Sequence, residues 1–207
     1  MTTKQKILNE ALTLFAEKGY SAVYVADIAK AVGIKAPSLY KHYKSKQDIF
    51  NAILDEMKSN YDKKTADLNM NGSDAAKDAS VFATVSEDTL MQMGIGLFQF
   101  FLHDEYSSKF RKMLTIEQFH DNDLSHLYSK QYVDDPLSYQ SAIFAIISTS
   151  GVFKNIKPDI MALHFYAPIY MLLTMCDRQP ERESEALQLI KEHIKQFNLI
   201  YSKENLK

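Results

Sequence analysis

A chain of 207 residues with 46% apolar and 24% charged side chains has room for one large domain or a small one joined to a larger one, and its composition excludes global disorder. Cys176 is the one cysteine, which excludes an internal disulfide framework and suits the cytoplasm, the expected location. The net charge of −2 divides unevenly, +4 over residues 1–50 and −6 over the rest, so a basic head on an acidic body would approach a polyanion in a preferred orientation.

In chain order, Ile7, Leu8, Ala11, Leu12, Leu14 and Phe15 recur at helical spacing and predict a first helix from Thr3 to Lys18, stopped at Gly19. A second helix is predicted over 25–32, with Ile28, Ala29 and Val32 inward and Ala29 small where two helices cross. Gly33 gives the backbone freedom for a tight turn, Ile34 plugs the corner, and Pro37 fits the first turn of the next helix. Leu39 and Tyr43, four apart, point to the core and leave Pro37, Ser38, Lys41 and His42 facing outward, with Tyr40 at the boundary. Two short helices joined within about four residues make a helix-turn-helix, whose second helix can enter the DNA major groove. Ser45 and Asp48 have capping-box spacing for a fourth helix that carries Ile49, Phe50, Ile53, Leu54 and Met57 and ends near Lys63 or Lys64.

Three strings give this head a resemblance: Leu-Phe-Ala-Glu-Lys-Gly-Tyr at 14–20, Asp-Ile-Ala-Lys-Ala-Val-Gly-Ile at 27–34, and Ser-Leu-Tyr-Lys-His-Tyr-Lys-Ser-Lys at 38–46. Residues 4–50 resemble the N-terminal domain of the TetR family of transcriptional repressors. The resemblance implies that Lys35 to His42 form the turn and recognition helix. It implies that Tyr40 and Lys46 contact phosphates, and that Ala36, Pro37, Ser38, Lys41 and His42 face base edges and thymine methyls. Two positions depart from the family pattern. Tyr24 stands where Ser or Thr usually caps the second helix, and Ala26 where a basic residue is frequent, so the grip on phosphates is expected to lean on Lys4, Lys6 and Lys46.

The body reads as helical throughout. Residues 69–80 have loop composition and are taken as the link from head to body. Helices are then predicted from Thr84 or Glu87 to Leu102, from Ser107 to Phe119, from Asp123 to Tyr132, from Asp135 through an apolar run to Phe153, from Pro158 to Cys176 with a kink at Pro168, and from Glu183 to Leu199. The expected fold is therefore all-α: a three-helix helix-turn-helix head over 1–50, joined by the fourth helix to a helical effector-binding and dimerisation body over 51–207.

No signal-peptide core opens the chain and no apolar stretch reaches the roughly 18 residues of a membrane span, so no membrane partner is expected. No nucleophile elbow, Walker loop or dinucleotide fingerprint is present, which argues against an enzyme, and no cofactor is implied. His120, Asp121, Asp123 and His126 cluster in sequence, but a solvated loop and helix start explains them better than a metal site. Twelve Phe, twelve Tyr and nine Met suggest an adaptable interior, with Phe98, Phe101, Phe119, Tyr139, Phe144, Ile147, Met161 and Phe165 the candidates for an apolar or aromatic effector. The resemblance implies a homodimer through the last two helices, for which the stripes Phe165, Ile169, Leu173 and Leu187, Ile190, Ile194 are the candidates. The expected function is a repressor that binds palindromic double-stranded operator DNA as a homodimer and is released by its effector. The alternative is a constitutive DNA-binding or partner-binding protein with a packed, ligand-free body.

Overall fold

The computed structural model describes residues 1–154 and 156–202 and is all-α. Eleven α-helices are present among the described residues: α1 (Thr3–Lys18), α2 (Val25–Val32), α3 (Ala36–Leu39), α4 (Lys46–Asp67), α5 (Ala75–Phe82), α6 (Glu87–His103), α7 (Glu105–Glu117), α8 (Asn122–Ser129), α9 (Asp135–Thr149), α10 (Pro158–Arg178) and α11 (Glu183–Tyr201). They gather into two compact units. Among the described residues, the first takes 1–60 and 103–130, the second 61–102, 131–154 and 156–202. The unit that holds the helix-turn-helix is thus larger than the expected 1–50 segment, because α7 packs along α1 and brings α8 with it.

The local chemistry explains the first unit. Thr2 caps α1 by accepting from Gln5 N at 3.2 Å, and the inward face of the helix is Ile7, Leu8, Ala11, Leu12 and Phe15. Gly33, at φ 78°, closes α2, and Ile34 N returns to Ala29 O at 2.9 Å to set the turn. Ser45 Oγ accepts from Asp48 N at 3.0 Å and the Asp48 carboxylate accepts from Lys44 N at 3.0 Å, which starts α4 where the capping-box spacing places it. A file of rings then crosses the unit: Phe15 to Tyr20 at 5.1 Å, Tyr20 to Phe50 at 5.1 Å and Phe50 to Phe110 at 5.5 Å.

In the second unit α9 lies between α5 and α10, and α11 packs on α10. Two apolar clusters form its core. One centres on Ile143, Phe144, Ile147, Met161 and Phe197, the other on Phe98, Leu172, Leu173, Ile190 and Ile194. Residues 75–80, expected within a loop, belong to the helix α5, because Asp74 accepts from Ala76 N at 3.1 Å and Lys77 N at 3.2 Å and nucleates an alanine-containing turn. Lys130–Asp134 wind in a single π-turn before α9. Contrary to the expectation that no stretch is long enough, α10 is long and apolar enough to cross a membrane, but Met161, Ala162, Leu172, Leu173 and Cys176 on its inner side belong to this core.

Candidate nucleic-acid interface

The recognition segment is short. α3 has a single turn of α-helix, and the chain then tightens, with His42 N bonded to Leu39 O at 2.9 Å and Lys41 N to Ser38 O at 3.3 Å. Leu39 is fully buried and Tyr43 is 5% exposed, so the two anchor the segment and turn the intervening residues outward. Pro37, Lys41, His42 and Lys35 are exposed, Tyr40 is 51% exposed, and Ala36 and Ser38 are half-buried. The structure thus brings Lys35, Ala36, Pro37, Ser38, Tyr40, Lys41 and His42 to one short segment, with exposed Lys44 following.

Lys46, expected at a phosphate, also ties the head together. Its Nζ donates to Tyr20 O and Val23 O, each at 2.9 Å, and lies 4.2 Å from the centre of the Tyr20 ring. Burial pushes the ammonium pKa down, against the opposing field of the Glu117 carboxylate. The physical reason is the open carbonyls of the α1–α2 turn, which lie within reach of a lysine at the first position of α4. Tyr24, 71% exposed, supplies no side-chain cap to α2, but Asp27 accepts from Tyr24 N at 2.9 Å and closes the helix start from the other direction.

The effector candidates divide. Phe144, Ile147 and Met161 are buried in one cluster with Tyr139 and Phe165 against it, while Phe98 lies in the other with Phe101 against it. Phe165 touches both clusters. Phe197 joins them in a close ring cluster, edge to face from Phe144 to Phe165 at 5.7 Å and from Phe165 to Phe197 at 5.0 Å, and tilted from Phe144 to Phe197 at 5.3 Å. Phe119 does not join them. It is 85% exposed in the corner after α7, in the other compact unit, because the helix ends at Glu117 before the ring can turn inward. A groove of about 390 Å³ that the sequence did not suggest lies on α10 and α11, lined by Leu163, His164, His193, Phe197 and Ile200.

The dimer candidates lie on the inner sides of their helices. Leu173, Ile190 and Ile194 are 7%, 1% and 4% exposed within the core of the second unit, and Phe165, Ile169 and Leu187 pack against that core. The faces left open on the same helices carry Leu163, Met171, Leu189, Leu199 and Ile200, all exposed. Both helices are apolar on two sides, and hydrophobic spacing alone does not say which side meets the monomer's own core. In the His120–His126 region the Asp121 carboxylate accepts from Leu124 N at 2.9 Å as the cap of α8, and among the described residues no three potential metal ligands converge.

Comparison with known proteins agrees with this geometry. The sequence pattern of bacterial regulatory proteins of the tetR family matches residues 7–53. The biofilm operon icaADBC HTH-type negative transcriptional regulator IcaR of Staphylococcus epidermidis is 43% identical over 67 residues, 28% of this chain and 36% of its own length. The chain therefore matches only about a third of that relative's length. Among solved structures, the SmeT–triclosan complex superposes with a TM-score of 0.67 at 17% identity over 100% of this chain and 95% of its own. SmeT is the repressor of the Stenotrophomonas maltophilia multidrug efflux pump SmeDEF. A transcriptional regulator from Saccharomonospora viridis in complex with choline gives 0.63 at 19% identity over 97% of this chain and 98% of its own. At such identity the structures show a shared fold, which runs through head and body alike. Residues 7–53 thus carry the pattern of the tetR family of bacterial regulatory proteins, on a fold shared with these solved structures along the chain.

Proposed function

We propose that this regulator is a repressor that binds a palindromic operator as a homodimer in the cytoplasm, has no enzymatic activity, and is released by an apolar or aromatic small molecule. The observation that carries the DNA-binding part is the segment 35–42, where buried Leu39 and Tyr43 hold Pro37, Tyr40, Lys41 and His42 outward. Lys41 and His42 suit base edges, Ala36 and Pro37 suit thymine methyls, and the Tyr40 hydroxyl suits a phosphate. Two such segments must lie about 34 Å apart to read a palindrome one turn long, and two-fold symmetry is the simplest way to place them. The negative regulator IcaR, alike in the head, supports the sign of the effect.

The effector part is supported by solved relatives of the same fold bound to triclosan and to choline. An effector need only prefer the DNA-free geometry by about 1–3 kcal/mol to act as a switch. The close edge-to-face and tilted packing of Phe144, Phe165 and Phe197 favours a second reading, a constitutive repressor whose body takes no ligand. Selection of duplexes from a random pool, followed by anisotropy titration of the selected sequence, tests the first part. Enrichment of no sequence would defeat it. Repeating the titration with each hydrophobic compound that raises the melting temperature tests the second. Compounds that bind without weakening operator affinity, or none that bind, leave the constitutive reading.

A further inference from the structure

The α1–α2 turn is gripped from two sides by charged groups outside the recognition segment. On one side Glu117, at the end of α7 and 2% exposed, accepts from Ser21 N at 2.8 Å and from Ser21 Oγ at 2.9 Å. On the other, Lys46 Nζ donates to Tyr20 O and Val23 O at 2.9 Å. Between them Gly19 adopts φ 85°, and a Cβ there would run into Glu117 Oε1, so the missing side chain is what lets the carboxylate reach the turn. The turn feeds directly into α2, whose N-cap residue Tyr24 contributes no side-chain cap, and α3 is joined to α2 through the bond from Ile34 N to Ala29 O. Slack at 19–23 would therefore tilt α2 and carry α3 with it.

We propose that Glu117 is a positioning residue for DNA recognition: acting from α7 through Ser21, and opposed by Lys46, it fixes the α1–α2 turn and so sets the angle at which α2 and α3 meet a duplex. The inference rests on the DNA-binding reading. Glu117 touches no nucleic acid, and Lys46 directs its amine into the turn rather than to a phosphate.

The test titrates the full-length protein and the variants Glu117→Ala, Glu117→Gln and Lys46→Met against the duplex that the wild type selects and a scrambled duplex, over a salt series. Glu117→Ala should weaken binding to the selected duplex on the order of tenfold, the scale of a lost hydrogen bond to a charged group. The scrambled duplex should be affected less, so that sequence preference narrows, which a mere loss of folded protein would not produce. Glu117→Gln should recover most of the affinity, because its amide oxygen still accepts from Ser21 N. The log–log salt slope should be unchanged in all three variants. Unchanged affinity in Glu117→Ala, or equal losses on both duplexes, overturns the proposal. A slope shallower by about 0.9 per head in Lys46→Met makes that lysine a phosphate contact and overturns the opposed grip. Should Glu117→Ala lose its helical circular dichroism, Ser21→Ala decides: a folded variant with narrowed preference supports the clamp, and wild-type behaviour overturns it. Should the wild type select no duplex, the DNA-binding reading falls on its own. Amide exchange at Ser21 then judges the grip, faster exchange in Glu117→Ala than in wild type supporting it and equal exchange overturning it.

Discussion

The buried carboxylate of Asp78 takes a hydrogen bond from the phenol of Tyr139, so that α5 and α9 meet through a charged group in the interior of the second unit. Its two oxygens also accept from Asn71 N and Gly72 N, each at 2.7 Å, which ties the loop after α4 to the same point. A carboxylate with no exposed surface is tolerated because these donors replace the water it has lost. Removing it in Asp78→Ala leaves two backbone N–H groups and a phenol without acceptors and should cost about 3 kcal/mol, whereas Tyr139→Phe removes one donor and should cost about 1–2 kcal/mol. Urea denaturation measures both. Equal and small losses would mean that the loop finds other partners.

Tyr61 sits beside this carboxylate, donates to Gly72 O at 3.1 Å, and has its phenol pushed up to about 12, first by burial and then by the negative charges of Asp78 and Asp62. The folded state thus holds its proton after the unfolded chain has lost it near pH 10. Stability from this group is complete below about pH 10 and is lost as pH rises through about 12. The expected result is a fall in stability over that window whose steepness is reduced in Tyr61→Phe. A phenol absorbance titration near pH 10 for all twelve tyrosines would contradict it.

In the head, the outward residues of 35–42 should separate by role. Tyr40→Ala should weaken binding to every duplex, while Ser38→Ala and His42→Ala should change preference between sequences, with about 1–3 kcal/mol at stake for a good base contact. Titration against single-base variants of the selected duplex distinguishes the two behaviours. Uniform losses from all three changes would remove the assignment of roles.

Much of the head was legible because its signals are local. The stop at Gly19, the turn at Gly33, the proline at the start of α3 and the Ser45–Asp48 cap each act within four residues of where they stand. What escaped the sequence depends on distant partners. Glu117 is 96 residues from Ser21, and nothing near it signals that it will be buried against a turn of the head. Asp78 similarly reads as a surface residue in a polar stretch until Tyr139 arrives from 61 positions away. Phe119, an effector-pocket candidate at the expected end of its helix, stays outside for the opposite reason: α7 stops two residues before it and the ring is left exposed.

The proposed dimer turns on the same ambiguity of two-sided helices. Ile190 is 1% exposed within the monomer, so Ile190→Asp should unfold the second unit whatever the oligomeric state. Leu163 and Ile200 are 46% and 54% exposed on the outer sides of α10 and α11, where a charge costs the monomer little. If these outer faces meet a second copy, Leu163→Glu or Ile200→Glu buries an unpaired carboxylate at each, a penalty of about 3–5 kcal/mol against association. Both variants should keep wild-type helical circular dichroism, sediment as monomers, and lose tight binding to a palindromic duplex while retaining weak binding to a half-site. A wild type that sediments as a monomer would defeat the homodimer itself. A dimeric Leu163→Glu would instead move the interface off these two helices.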